Sequence, residues 1–158
     1  MPLLINREPV ENDSWTLVDE DTLQQSGDII VPLALYLENQ DSLSNRDGSL
    51  AVQVSGDDNI DTVLENPNRF PLIAVFFPAV RDGRGFSIAR LLKRAGFTGQ
   101  IRATGDVSHD RLDFMTRCGF DALEIPADRY SEEVHNAFSE FSVRYQGAED
   151  DSRPVYRQ

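Results

Sequence analysis

Hydrophobic and polar positions divide the chain into a short β-like opening and a longer stretch where strand-like runs alternate with helical periodicity. Near the start, the apolar run Leu3 to Ile5, the polar Asn12-Asp13-Ser14 and then Trp15-Thr16-Leu17-Val18 predict a hairpin covering an edge of the main sheet. An acidic connection, Asp19 to Asp28, follows. Ile29-Ile30-Val31 reads as a β-branched strand, and Leu33, Tyr36 and Leu37 give a helical face that ends before Asp47-Gly48. Leu50 to Val54 is the next strand, and Ile60, Val63 and Leu64 mark a short helix after it. Leu72 to Phe77 is apolar throughout, as suits a central parallel strand buried on both faces. Ile88, Leu91, Leu92 and Ala95 fall at i, i+3, i+4 and i+7, an amphipathic helix closed by Gly96. Ile101 to Thr104 is a strand, Leu112, Met115 and Cys118 mark a helix closed by Gly119, and Ala122 to Ile125 is the last strand. Ser131 with Glu132 and Glu133 reads as a helix cap with an acidic first turn, and Val134, Phe138, Phe141 and Tyr145 form one face of the helix beyond.

Five strand–helix units in succession predict a parallel sheet with right-handed crossovers. The expected architecture is a single open, doubly wound α/β sheet of flavodoxin-like type, with the N-terminal hairpin at its edge. A partial TIM-like barrel is the alternative, because a run of βα units does not reveal strand order. The predicted domain covers residues 1–147, with the hairpin in 1–20, the βα units in 29–146 and a flexible polar tail in 148–158. A chain of 158 residues can bury a core of this kind without staples.

Net charge changes the picture of partners. At −12, with an isoelectric point near 4.4, the chain is a poor match for nucleic acid or anionic membrane, both of which select basic surfaces. The single cysteine, Cys118, can form no intramolecular disulfide, and the first residues lack the layout of a signal peptide, so a reducing cytoplasm is the expected location. The charge is uneven. Between Ala79 and Ala103 stand Arg81, Arg84, Arg90, Lys93, Arg94 and Arg102 against one acid, Asp82. That basic segment is where an anion is expected to go.

Its strand-to-helix junction runs Phe76-Phe77-Pro78-Ala79-Val80-Arg81-Asp82-Gly83-Arg84-Gly85-Phe86-Ser87. In parallel sheets ligands bind at the carboxyl ends of strands, where helices present their N-termini. Gly83 and Gly85 allow close backbone approach, Ser87 is placed to cap the helix, and Arg81 and Arg84 offer planar forks for sulfate, sulfite, phosphate or carboxylate. Arg102, on the neighbouring strand, is a further candidate for the same anion site. A tight turn whose arginines pair with surface acids accounts for the loop equally well, since it has neither the Walker nor the dinucleotide glycine pattern. Asp106, after the strand ending at Thr104, is the best candidate for an acid or base, with a helix cap as its plainer role. No catalytic triad, metal set or cofactor fingerprint is evident, and His135 has no metal-spaced partner. Cys118, near a helix C-terminus, is read as a buried small residue.

The words Phe77-Pro78, Asp82 to Ser87, Ala89-Arg90-Leu91-Leu92, Arg102-Ala103, Gly105-Asp106-Val107 and Arg117-Cys118-Gly119-Phe120-Asp121 resemble a bacterial family of unknown function, number nine-three-four. The likeness extends to Trp15, Val31-Pro32-Leu33 and Tyr145-Gln146. Ser108-His109 departs from it, standing where the family carries an apolar–basic pair. The resemblance implies a role in assimilatory sulfite reduction, and hence in sulfur assimilation, because members are commonly encoded beside sulfite reductase and labelled as oxidoreductases. It assigns no catalytic residue. Two functions follow as expectations: an accessory protein that binds an oxyanion or docks on sulfite reductase, and a small enzyme on an anionic metabolite with Arg81 and Arg84 as clamp and Asp106 as acid/base. Flavin binding in a flavodoxin-like sheet is a third.

Overall fold

The computed structural model describes residues 2–157. Its centre is one mixed sheet of eight strands in the order β2-β1-β8-β7-β6-β5-β4-β3. The strands are β1 (Leu3–Ile5), β2 (Glu8–Val10), β3 (Thr16–Leu17), β4 (Ile29–Pro32), β5 (Leu50–Ser55), β6 (Leu72–Phe77), β7 (Gln100–Gly105) and β8 (Ala122–Glu124). From β3 to β8 each strand lies parallel to the next one in sequence. β1 pairs antiparallel with both β8 and β2.

This overturns the expected doubly wound, flavodoxin-like sheet of five units. A doubly wound order reverses at a switch point and puts helices on both faces, whereas here the parallel strands simply follow one another. With right-handed crossovers, that order sends every helix to the same side. The helices are α1 (Leu33–Glu38), α2 (Gln40–Leu43), α3 (Asp61–Glu65), α4 (Arg84–Arg94) and α5 (Leu112–Cys118). Their buried residues all join one core with Ile29, Val31, Val52, Val54, Ile73, Val75, Phe77, Ile101 and Ala103 of the sheet. The opposite face carries a small separate cluster of Ile30, Ala51, Leu72 and Ala74, with Trp15 packed on it. The sheet is a half-barrel with helices on its convex side, closer to the partial-barrel alternative, with an antiparallel hairpin added at one edge.

The hairpin is also redrawn. Its turn is at Asn6 and Arg7, which adopt φ of 50° and 73°, the positive-φ pair of a tight two-residue connection. The Trp15–Val18 stretch does not return to β1. It forms β3 at the far edge of the sheet, where Thr16 and Val18 donate backbone hydrogen bonds to Asp28 and Ile30. After Ser131 the expected amphipathic helix is a 3-10 segment, Glu132–Phe138, with no side-chain cap from Ser131. Val134 and Phe138 are buried, but Phe141 and Tyr145 are exposed. Residues of the polar tail bond back to the body: Glu149 takes Arg90 and Asp150 takes Arg117. No helix among the described residues is long and apolar enough to cross a membrane.

The link between β2 and β3, residues 11–15, joins opposite edges of the sheet across its concave side. On the way Asp13 meets Arg102, which points from the middle of β7 into that face. Arg102 Nη1 donates to Asp13 Oδ2 at 2.6 Å and Nη2 to Oδ1 at 3.1 Å. Its Nε and Nη2 also donate to Gln100 Oε1. Arg102 is 2% exposed, so its charge depends on these partners. Asp13→Ala is expected to cost about 3 kcal/mol, since it strands a buried guanidinium, whereas Asp13→Leu with Arg102→Met recovers most of the loss. Urea unfolding of the three proteins checks this.

Candidate functional site

The carboxyl ends of β5 to β8 lie along one rim of the half-barrel, and the loops there bring together charged residues from four separate segments. β6 leads into the arginine–glycine loop and α4. Gly85 is fixed by packing: a Cβ there would lie 2.5 Å from the Phe77 ring and 3.1 Å from Val75. Its close approach is therefore to the strand below, not to a ligand. Gly83 has φ −87° and nothing within 4 Å of a Cβ, so the fold makes no special demand there.

α4 begins at Arg84, and Ser87 is a turn too late to cap it. Gly83 is the N-cap and gives no side-chain cap, but Asp82, one residue before it, accepts from the Arg84 backbone N–H through Oδ1 at 3.1 Å. The same carboxylate holds the Arg84 side chain with both oxygens, at 3.0 Å to Nε and 2.8 Å to Nη2. Arg84 Nη1 reaches Asp57 at 2.6 Å and the Gly56 carbonyl at 3.1 Å. The N-terminus of α4 thus already has an anion, supplied by the chain itself. Arg81 differs: it is exposed and makes no side-chain hydrogen bond or ion pair among the described residues.

Arg102 does not join this rim. It leans toward Gln100 at the amino end of β7 and is committed to Asp13. Arg102, the further candidate for the anion site, is therefore spoken for by its own partners. Nor does the basic segment survive as a field, because acids distant in sequence meet it: Glu149 on Arg90, Asp121 on Lys93, Asp13 on Arg102 and Asp57 on Arg84.

Asp106 follows Gly105, whose φ of +87° and contact with the Phe77 carbonyl (2.4 Å from a Cβ built there) exclude a side chain. Its backbone N–H donates to that carbonyl at 2.8 Å, and its carboxylate pairs with Arg129, from the loop after β8. Arg129 holds the Asp106 carboxyl below its ordinary range, which leaves it a weak proton acceptor near neutral pH. Arg111 underlies both loops. Its guanidinium lies 5.6 Å from the Phe77 and Phe86 rings and donates to the Val80 and Asp106 carbonyls. Cys118 is buried, and burial pushes its thiol up. Among the described residues, no group of three histidines, cysteines or carboxylates is placed to hold a metal ion.

Sequence reading missed Asp57, Arg111 and Arg129. Asp57 carried a usable signal, because it follows a predicted strand end as Asp106 does. Arg111 and Arg129 carried none, since only the folded loops bring them to the rim.

The fold and the rim define an α/β half-barrel whose strand-end loops are cross-linked by arginine–carboxylate pairs. Residues 51–156 match the model of a family described as bacterial protein of unknown function (DUF934), and the chain belongs to that family. No curated protein and no solved structure matches it.

The Asp82 carboxyl is lowered from 3.8 to about 2, first by the side-chain bonds from Arg84 and then by its backbone N–H. A depressed carboxyl stabilises the fold above its unfolded value, and that contribution fades as pH falls toward about 2. Carboxyl-detected NMR titration should place the Asp82 midpoint near 2 in the wild type, and Arg84→Ala should return it toward 3.8.

Proposed function

We propose that this chain is a cytoplasmic accessory protein of assimilatory sulfite reduction that binds a small oxyanion at the β6–α4 junction and works beside sulfite reductase. The observation that carries the anion site is the pair Arg81 and Arg84: one guanidinium without a partner among the described residues, next to one whose partners can be exchanged. The Arg84–Asp57 pair is exposed, with 52% and 79% of the side-chain surfaces accessible. Such a pair contributes little stability, so an incoming sulfite or sulfate competes for Arg84 Nη1 at small cost while Asp82 keeps the other edge of the guanidinium. The pathway rests on the family resemblance, and the acidic surface suits docking on a basic face of a partner. Any redox step would draw on a cofactor held by that partner.

The enzymatic alternative, with Asp106 as acid/base, gains no support from the geometry. A carboxylate held in an ion pair by Arg129 suits positioning a neighbouring arginine better than moving a proton.

Thermal-shift titrations at low salt with sulfite, sulfate, phosphate and adenylyl sulfate test the reading. A saturable rise of about 5 °C with one of these anions is expected at roughly a hundredfold excess over Kd. Arg84→Ala should abolish it, Arg81→Ala weaken it, and Asp57→Asn strengthen it severalfold by removing the competing carboxylate. If none of the four anions stabilises the wild type, the oxyanion reading fails.

A further inference from the structure

The concave face of the half-barrel is closed at one end and open at the other. Toward the amino ends of the strands, Trp15 covers Ile30, Ala51, Leu72 and Ala74, and the Asp13–Arg102 pair seals the link across them. Toward the carboxyl ends the next row is Ser55, Phe76, Thr104 and Glu124. Ser55 pairs in register with Phe76 and Phe76 with Thr104, and the Arg102–Ala122 register continues to set Thr104 beside Glu124.

Two features of this row are unusual for a sheet interior. Phe76 lies in a central strand, flanked by β5 and β7, yet is 39% exposed, while Leu72 and Ala74 on the same face are essentially buried. Glu124 is half-buried, and among the described residues its side chain takes no hydrogen bond. The Arg102 guanidinium, whose charge acts on it, spends its N–H groups on Asp13 and Gln100. Burial pushes the Glu124 carboxyl up, with Arg102 opposing. From β5, on the other side of Phe76, Gln53 Nε2 reaches across β6 to donate to Thr104 Oγ1 at 3.3 Å, and Thr104 is buried beneath it, which leaves the Gln53 carbonyl for a third group.

We propose that this mouth is a binding site for a small planar organic cation, an aromatic ring bearing an amidinium or a protonated amine. Neighbouring strands are about 5 Å apart, so Phe76 and Glu124, two strands apart, are separated by roughly 10 Å across the row. A ring stacked on Phe76 puts its charged N–H edge across the β7 position and within reach of Glu124, where a charge-assisted hydrogen bond answers a carboxylate that takes none among the described residues. The −12 net charge draws cations toward such a cup. This site is separate from the anion-binding loop, which lies outside the cup at the N-terminus of α4, and it stands or falls independently of that reading.

Benzamidine is the probe, followed by saturation-transfer NMR on the whole chain at low salt. Saturable binding is expected, with the ring protons receiving the strongest transfer. Phe76→Ala and Glu124→Gln should each weaken it by about tenfold or more, whereas Arg84→Ala and the exposed Glu65→Gln should leave it unchanged. Benzoate, with the same ring and opposite charge, should not bind; this arm holds even if a variant fails to fold. Non-saturable transfer from benzamidine, equal binding of benzoate, or full affinity in a folded Glu124→Gln protein would each overturn the proposal.

Discussion

The shape of this protein is set by a link too short for a flat sheet. Eight strands in a plane would separate β2 from β3 by about 34 Å, seven spacings of roughly 4.8 Å. Residues 11–15 join those edges, and six extended Cα steps span at most about 21 Å. The chain satisfies both only if the sheet curls, so the link acts as a chord across a half-barrel. Curvature gives the concave side an inside, and the link then crosses it with two side chains directed inward: Trp15 onto the apolar patch and Asp13 onto Arg102. The buried ion pair thus fixes where the chord lies rather than adding much net stability.

The same chord divides the concave face by chemistry. Below it, alternation along β4, β5 and β6 places small and branched side chains that Trp15 can cover. Above it Phe76 is exposed, and the residues beside it are polar: Glu124 and Gln53, both partly buried, and Thr104, buried and bonded to Gln53. The convex side needs no such arrangement, because α1 to α5 bury it completely in one core. An asymmetric sheet of this kind leaves its strand-end rim and its concave mouth as neighbouring, chemically distinct surfaces, one crossed by arginine–carboxylate pairs and one lined by an aromatic ring and a half-buried carboxylate.

Much of the local structure was legible in the sequence. The apolar run Leu72–Phe77 is β6, and the i, i+3, i+4, i+7 pattern from Ile88 is on α4, with Gly96 at φ +79° just past its end. Strand order was not legible, because a succession of βα units is compatible with winding in one direction or two, and the deciding feature, the 11–15 link, reads locally as a hairpin turn. Leu3–Ile5 was legible and is β1, but the short strand β2 hid for a related reason. Glu8-Pro9-Val10 has no alternation to mark it, and its pairing is set by Asn6 and Arg7 in positive φ, a conformation that Asn favours but Arg does not advertise. The helix expected after Ser131 failed through tertiary context: Val134 and Phe138 find the core within one 3-10 segment, whereas Phe141 and Tyr145 stay exposed outside it.

The candidate site shows the limit of counting charge along a window. From Ala79 to Ala103 the sequence is strongly basic, yet the fold supplies Asp57, Glu149, Asp121 and Asp13 from elsewhere, and Asp82 from within, so that Arg84, Arg90, Lys93 and Arg102 are each answered by a carboxylate. Only Arg81 and Arg94 of the six remain without one among the described residues. A chain with net charge −12 has acids to spare for this purpose, and its own carboxylates are the first competitors any external anion meets. Selectivity at such a rim is a matter of exchange: a ligand gains only the difference between its bonds and those of the carboxylate it displaces. At Arg84 that carboxylate is Asp57, on Nη1 at 2.6 Å, while Asp82 occupies the other edge of the guanidinium, so the exposed Asp57 bond is the one that exchange can reach.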